Sequence, residues 1–197
     1  MLTDPVTLLD GLLEYHPQAI GAADALFEQL QDELPWQQDQ IQVYGRWHPI
    51  PRLQSWHGDN NAHYRYSGHL MAPKPWTPAL QQLRAQLSAF GLHHCNSVLC
   101  NLYRNGQDSM GWHSDDEPEL DPDQPIVSIS LGTTRDFCLR PRGSRRQHSK
   151  IALAHGSVLV MHPGMQQQWQ HALPKRAGIA SARINLTFRH ILTTTAH

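Results

Sequence analysis

The seven residues Arg183-Ile184-Asn185-Leu186-Thr187-Phe188-Arg189 decide how the rest of this chain is read. Side chains alternate faces along a strand, so Arg183, Asn185, Thr187 and Arg189 share one side and Ile184, Leu186 and Phe188 the other. On a half-exposed strand the polar side would face water. On a buried strand, two arginines on one face would need anions, and two carboxylates would satisfy them with bidentate geometry. The segment from Val98 to Arg104 repeats the theme: Asn101 and Tyr103 share a face, with Cys100 and Leu102 opposite.

A second signal is His113-x-Asp115, followed by His171. Residues i and i+2 of an extended segment point the same way, so the imidazole and carboxylate can reach one metal together. A histidine from another strand would complete a set of two histidines and one carboxylate with three open positions, the geometry of non-haem Fe(II) oxygenases. His-x-Asp alone is a common tripeptide in a chain with 14 histidines. Order and spacing strengthen it, because two like-facing arginines follow 12 and 18 residues after the strand histidine. Zinc hydrolases also use His and Asp with an open position. A zinc site leaves Arg183 and Arg189 unexplained. A dicarboxylate co-substrate chelating iron at one end needs a cation for the other.

Outward from these motifs the elements can be placed coarsely. Helical spacing at Ile20, Ala23, Phe27 and Leu30 predicts a helix over about 19–33, stopped by Pro35. A second helix is expected over 77–89, with Thr77 as N-cap, Pro78 in the first turn, Leu80, Leu83 and Leu87 on one face, and Gly91 as terminator. One strand is expected near 41–47, and further strands near 97–104, 126–131, 134–139, 157–162, 168–173 and 183–191. Helices early and strands late indicate an α+β fold, a sandwich or jelly roll carrying its N-terminal helices on one face.

Composition narrows the class. The 197 residues suit one compact domain. Charged residues make up 17%, which is far from a disordered composition. No apolar run approaches the roughly 18–20 residues of a membrane span. Leucines near the N-terminus lack a preceding basic segment, so no signal peptide is read there. Cys95, Cys100 and Cys138 form no C-x-x-C pair, and reduced thiols in a cytoplasmic or nuclear compartment are expected. The formal net charge of −1 argues against nucleic acid only while it is taken as one number. Residues 1–40 hold eight acids and no Lys or Arg, so the rest of the chain carries a formal +7. Its densest basic run is Arg140, Arg142, Arg145, Arg146 and Lys150.

From about residue 41 to 192 the sequence closely resembles the AlkB family of Fe(II)/2-oxoglutarate DNA-repair dioxygenases, leaning toward the branch that acts on duplex DNA. The matching stretches are Asn101-Leu-Tyr-Arg-Asn-Gly106, Gly111-Trp-His-Ser-Asp-Asp-Glu117, Ser128-Ile-Ser-Leu-Gly132, His155-Gly-Ser157, Trp169-Gln-His-Ala-Leu-Pro174 and the Arg183–Arg189 strand. The resemblance implies a double-stranded β-helix with Fe(II) on His113, Asp115 and His171. It implies that Arg183 pairs with the distal carboxylate of 2-oxoglutarate, helped by Asn101 and Tyr103, and that Arg189 sits near the metal-end carboxylate. Asn185 and Thr187 complete the expected co-substrate face. Residues 1–40 would then be an acidic helical segment, and 41–197 the dioxygenase domain with a nucleotide-recognition segment at 41–70.

The implied reaction consumes dioxygen and 2-oxoglutarate, releases succinate and carbon dioxide, and hydroxylates the N-methyl group of a base such as 1-methyladenine or 3-methylcytosine. The hemiaminal then collapses to formaldehyde and the repaired base. The expected partner is alkylated DNA, acted on by a monomer. The same chemistry on RNA and a cupin-like metal-binding module without turnover are the alternatives.

Extracting a paired base costs a few kcal/mol, and several residues match that task. Tyr44, beside Gly45, matches an aromatic wedge that fills the gap left by a flipped base; a core tyrosine beside a turn is the plainer reading. Tyr64 and Tyr66, followed by Ser67, match the family's stacking platform, and Tyr66 with His113 would sandwich the base. Glu117 shares the parity of His113 and Asp115 if that strand continues, and would accept a hydrogen bond from an exocyclic amine. Arg52 is expected to orient Asp115 or Glu117. Arg145 and Arg146 lie in a plausible phosphate clamp, although a charge run is usually a solvated face. His57 stands where relatives often have Tyr, which bears on lesion preference.

Overall fold

The computed structural model describes residues 4–43, 45–66, 69–88 and 93–192. Strands β1 (Val6–Leu8) and β2 (Leu13–His16) lead into helix α1 (Ala23–Glu33). A hairpin of β3 (Gln40–Val43) and β4 (Arg46–Pro49) precedes β5 (Leu53–Gly58). The short pair β6 (Tyr64–Tyr66) and β7 (His69–Met71) is followed by α2 (Pro78–Ser88). Then come β8 (Ser97–Tyr103), β9 (Met110–His113), β10 (Ile126–Gly132), β11 (Arg135–Pro141), β12 (Ser149–Leu153) and β13 (Ser157–Met161). A single turn of helix, α3 (Met165–Gln168), leads to β14 (Trp169–Leu173) and β15 (Arg183–Arg189).

Two antiparallel sheets face each other. The larger has seven strands in the order β1-β2-β13-β10-β15-β8-β5, and the smaller has the order β12-β11-β14-β9. This is a double-stranded β-helix with α1 and α2 on the outer face of the larger sheet. Alternation on β15 and β8 causes that layering. Ile184, Leu186 and Phe188, with Val98, Cys100 and Leu102, pack against Leu26 and Leu30 of α1 and Leu80, Leu83 and Leu87 of α2. The polar faces of the same strands turn inward toward the smaller sheet. Register sets Asn185 against Asn101 and Arg183 against Tyr103, so the two polar rows coincide.

The α2 boundaries follow the sequence expectation closely. Thr77 Oγ1 accepts from the Leu80 N–H at 3.4 Å and also donates to Glu33 of α1, tying the two helices together. Thr77→Ala is expected to lower stability by about 1 kcal/mol, read as a lower urea midpoint at unchanged slope.

Elsewhere the chain departs from what alternation predicted. The single strand near 41–47 is the β3–β4 hairpin, with Gly45 at φ 78° in the turn, a conformation that costs a glycine little. Residues 1–40 are not helical throughout, because β1 and β2 extend the larger sheet through the β2–β13 ladder. The basic run is a hairpin and not a free loop: Arg140 belongs to β11, Lys150 to β12, and residues 142–148 connect them. Gly106 allows a close backbone approach, since a Cβ there would lie 1.8 Å from the Arg176 carbonyl oxygen.

Candidate active site

His113 ends β9 and pairs with His171 of β14, so both imidazoles leave the inner face of the smaller sheet side by side. Asp115 lies two residues past the end of β9. One ligand atom from each of the three residues falls within 4.8 Å of the others, the only such His/Cys/Asp/Glu group among the described residues. His113 Nε2 is 3.8 Å from Asp115 Oδ1, and His171 Nε2 is 3.9 Å from Asp115 Oδ2. His113 Nδ1 lies 2.9 Å from the Gly111 carbonyl oxygen. A carbonyl can only accept, so Nδ1 carries the proton and Nε2 keeps its lone pair for a metal. Phe137 stacks on His171 at 4.9 Å between ring centres and walls off one side.

The electrostatics suit a metal ligand set. Burial alone would push the Asp115 carboxyl up, but the charge of Arg189 and the neighbouring His171 and His113 reverse this and hold it at about 2. Arg189 Nη2 donates to Asp115 Oδ1 at 2.7 Å, and both groups are buried. Burial pushes His171 down to about 3, with His113 acting in the same direction and Asp115 opposing, so its imidazole is neutral at pH 7. The site therefore presents two imidazoles, that of His171 neutral, and one carboxylate, the donor set of a facial Fe(II) centre.

The expected co-substrate face lies across a cavity between the sheets. Asn101, Tyr103, Arg183, Asn185, Thr187 and Arg189 line it from the larger sheet, and His113, Asp115 and His171 from the other side. Arg183 is 2% exposed and stays cationic, although burial lowers its pKa to about 10. Its Nη2 donates to Ser130 Oγ at 2.9 Å, while its Nε is buried without a hydrogen-bond partner among the described residues. A buried guanidinium with an unsatisfied donor is costly, and a carboxylate entering this cavity would satisfy it. Asn185 is more structural than expected, since its Nδ2 donates to Ser128 Oγ at 2.7 Å and to the Ile129 carbonyl at 3.1 Å.

The residues expected to handle a base divide differently. Tyr44 and Ser67 lie outside the described residues, as do the side chains of Tyr64 and Tyr66, whose backbone forms β6. Glu117 is not on a strand, because β9 ends at His113. It lines a second cavity with Asp116, Leu120 and Gln166, and not the one facing Arg183. Arg52 is buried, and its Nε donates to Asn101 Oδ1 at 2.9 Å. His57 shares strand parity with Ser55 and faces the helix layer, and its nitrogens meet Ser55 Oγ at 2.9 Å and the Pro75 carbonyl at 2.7 Å. It is a structural histidine, and its difference from Tyr does not touch the cavity. Arg145 and Arg146 are exposed at the hairpin tip.

Sequence reading assigned no role to Ser128, Ser130, Phe137 or Gln166. The serines were findable, because Ser128 and Ser130 alternate with Val127 and Ile129 as the β15 residues do. Phe137 and Gln166 carry no local signal.

This geometry defines a mononuclear iron oxygenase with a carboxylate-binding pocket, and comparison with known proteins agrees. Residues 6–189 match the family model of the 2OG-Fe(II) oxygenase superfamily. The chain is 41% identical over 183 residues to the DNA oxidative demethylase ALKBH2 of Bos taurus, covering 88% of this chain and 66% of that one. Against the Homo sapiens ALKBH2 it is 40% identical over 182 residues, covering 87% and 70%. Against the alpha-ketoglutarate-dependent dioxygenase alkB homolog 3 of Bos taurus it is 41% identical, covering 86% and 62%. A solved structure of OsALKBH1, 18% identical, superposes with a TM-score of 0.67 over 94% of this chain and 100% of that one, which speaks to the fold alone. The chain belongs to the AlkB family within the 2OG-Fe(II) oxygenase superfamily. It is an Fe(II)/2-oxoglutarate-dependent dioxygenase, with iron at His113, Asp115 and His171 and with 2-oxoglutarate and dioxygen as co-substrates. No helix among the described residues is long and apolar enough to cross a membrane.

Proposed function

We propose that this protein removes N-alkyl groups from damaged bases in DNA by oxidation. The observation that carries the reading is the His113–Asp115–His171 cluster facing the buried, under-satisfied Arg183, in a chain about 40% identical to proteins named DNA oxidative demethylases. Bound iron supplies oxidation by dioxygen coupled to decarboxylation of 2-oxoglutarate. The protein's own part is positional. Arg183, with Asn101 and Tyr103, holds the distal carboxylate, and Arg52 orients Asn101. Arg189 keeps Asp115 ionised and fixed. An N-methyl group takes up one oxygen atom, the other passes to succinate, and the N–CH2OH product loses formaldehyde.

On this reading Tyr44 is the wedge, supported by an aromatic residue standing directly before Gly45 in the sequence. Tyr64, Tyr66 and Ser67 contact the flipped base, with Glu117 at its amine edge. Arg145 and Arg146 meet backbone phosphates. The enzyme acts as a monomer in a reducing compartment, cytoplasmic or nuclear, which its three buried free thiols support.

The test is formaldehyde release from matched 1-methyladenine and 3-methylcytosine oligonucleotides, single- and double-stranded, as DNA and as RNA. Release from DNA is expected. Release from RNA alone would reassign the substrate, and release from none would end the nucleic-acid reading. Replacing Arg145 and Arg146 by Gln is expected to reduce the slope of log affinity against log salt by about 1–2. An unchanged slope would return that hairpin tip to an ordinary solvated surface.

A further inference from the structure

The metal carboxylate is anchored from two directions, and only one of them faces the cavity. Arg189 fixes the Asp115 side chain from the co-substrate side. The Asp115 backbone, however, lies beyond the end of β9 and has lost its sheet ladder. Its N–H instead donates to Gln166 Oε1 at 3.0 Å. Gln166 sits on the single turn α3, is buried, and its Nε2 donates to Met161 Sδ at 3.4 Å, so the amide is held in one orientation.

Gln166 is in turn held by the basic hairpin. Arg142 Nη1 donates to the Gln166 carbonyl at 3.0 Å and to Asp116 Oδ2 at 2.6 Å. The Arg142 N–H also donates to the Gln168 carbonyl at 2.8 Å. One guanidinium thus ties three pieces of chain together: the β11–β12 hairpin, the turn α3, and the segment carrying Asp115. Four-residue helices and irregular turns hold their shape poorly by themselves. The cross-link supplies what local structure cannot.

We propose that Gln166 and Arg142 are positioning residues for the iron ligand Asp115, and that the basic hairpin and the metal turn form one mechanical unit. Gln166 sets the backbone of Asp115, and Arg142 sets Gln166 and the neighbouring Asp116. The proposal rests on the iron of the enzyme class and not on the DNA reading. Its readout accordingly needs no nucleic acid. Partners behind a metal ligand typically change metal affinity by about 10–100-fold.

The test uses the full chain, with Fe(II) titrated anaerobically into Gln166→Met, Arg142→Met, the double variant and Arg142→Lys. Gln166→Met is expected to weaken Fe(II) binding by about 10-fold. Arg142→Met should weaken it several-fold, and Arg142→Lys should recover most of that loss. The double variant is expected to lose less than the sum of the two, because both act along one chain of bonds. The KM for 2-oxoglutarate at saturating iron and the melting temperature should stay near wild type. Unchanged iron affinity in both single variants would overturn the proposal. So would additive losses, or parallel losses of iron affinity, 2-oxoglutarate affinity and melting temperature. Should Gln166→Met not fold, the Arg142 variants decide alone, since that side chain is 43% exposed.

Discussion

Replacing His171 with alanine is expected to leave a folded protein whose iron-dependent succinate formation falls by on the order of 10³-fold or more. The fold should survive because His171 holds little of it. Its backbone stays in the β14 ladder, its imidazole is neutral, and its stacking on Phe137 contributes about 1 kcal/mol. Asp115 is a poorer choice for this test, because deleting it also removes the carboxylate bonded to the buried Arg189. Succinate release measured against added Fe(II), beside a melting curve, separates a lost ligand from a lost fold. Retained turnover in a folded His171→Ala protein would sink the metal assignment.

Arg183→Met is expected to raise the KM for 2-oxoglutarate by ~10²-fold, the equivalent of about 3 kcal/mol for a buried charge pair that has lost one partner. Iron affinity should hold, because Arg183 bonds to Ser130 on the opposite side of the cavity from the metal ligands. Arg183→Lys should recover only part of the loss, since an ammonium cannot match a carboxylate with two parallel N–H donors. Steady-state turnover across a 2-oxoglutarate series, at saturating iron, reads both variants. A KM unchanged in Arg183→Met would remove the arginine from the co-substrate site and leave its buried Nε without a function.

Legibility in the sequence followed periodicity. The β15 strand could be split into two faces by inspection, because strong apolar and strong polar side chains alternate over seven residues. α2 was readable for the same reason, with a cap and leucines at helical spacing. β5 was missed because Leu53-Gln-Ser-Trp-His-Gly58 carries both polar and apolar residues on each face, as a strand buried on both faces can. β9 and β12 are short and hold too few residues to show a period. For Glu117 the parity argument lapses past His113, where β9 ends. Parity holds only while the backbone stays extended, and here it does not.

The chain's order of residues was sufficient to determine the layering, the polar interior, and the three metal ligands. The layering and the polar interior follow from alternation within strands, and the pairing of His113 with Asp115 from spacing within one segment, which are local geometric facts; His171 was reached through its order ahead of the two arginines and through the family resemblance. Only the tertiary structure decided which distant groups serve those ligands. Arg52 reaches Asn101, Arg189 reaches Asp115, and Gln166 holds the Asp115 backbone across a sequence separation of 51 residues. Such pairings depend on how two sheets and a hairpin close on one another. A side-chain hydrogen bond between remote segments leaves no period in the sequence, because it is set by where the packed core brings the two chain segments together.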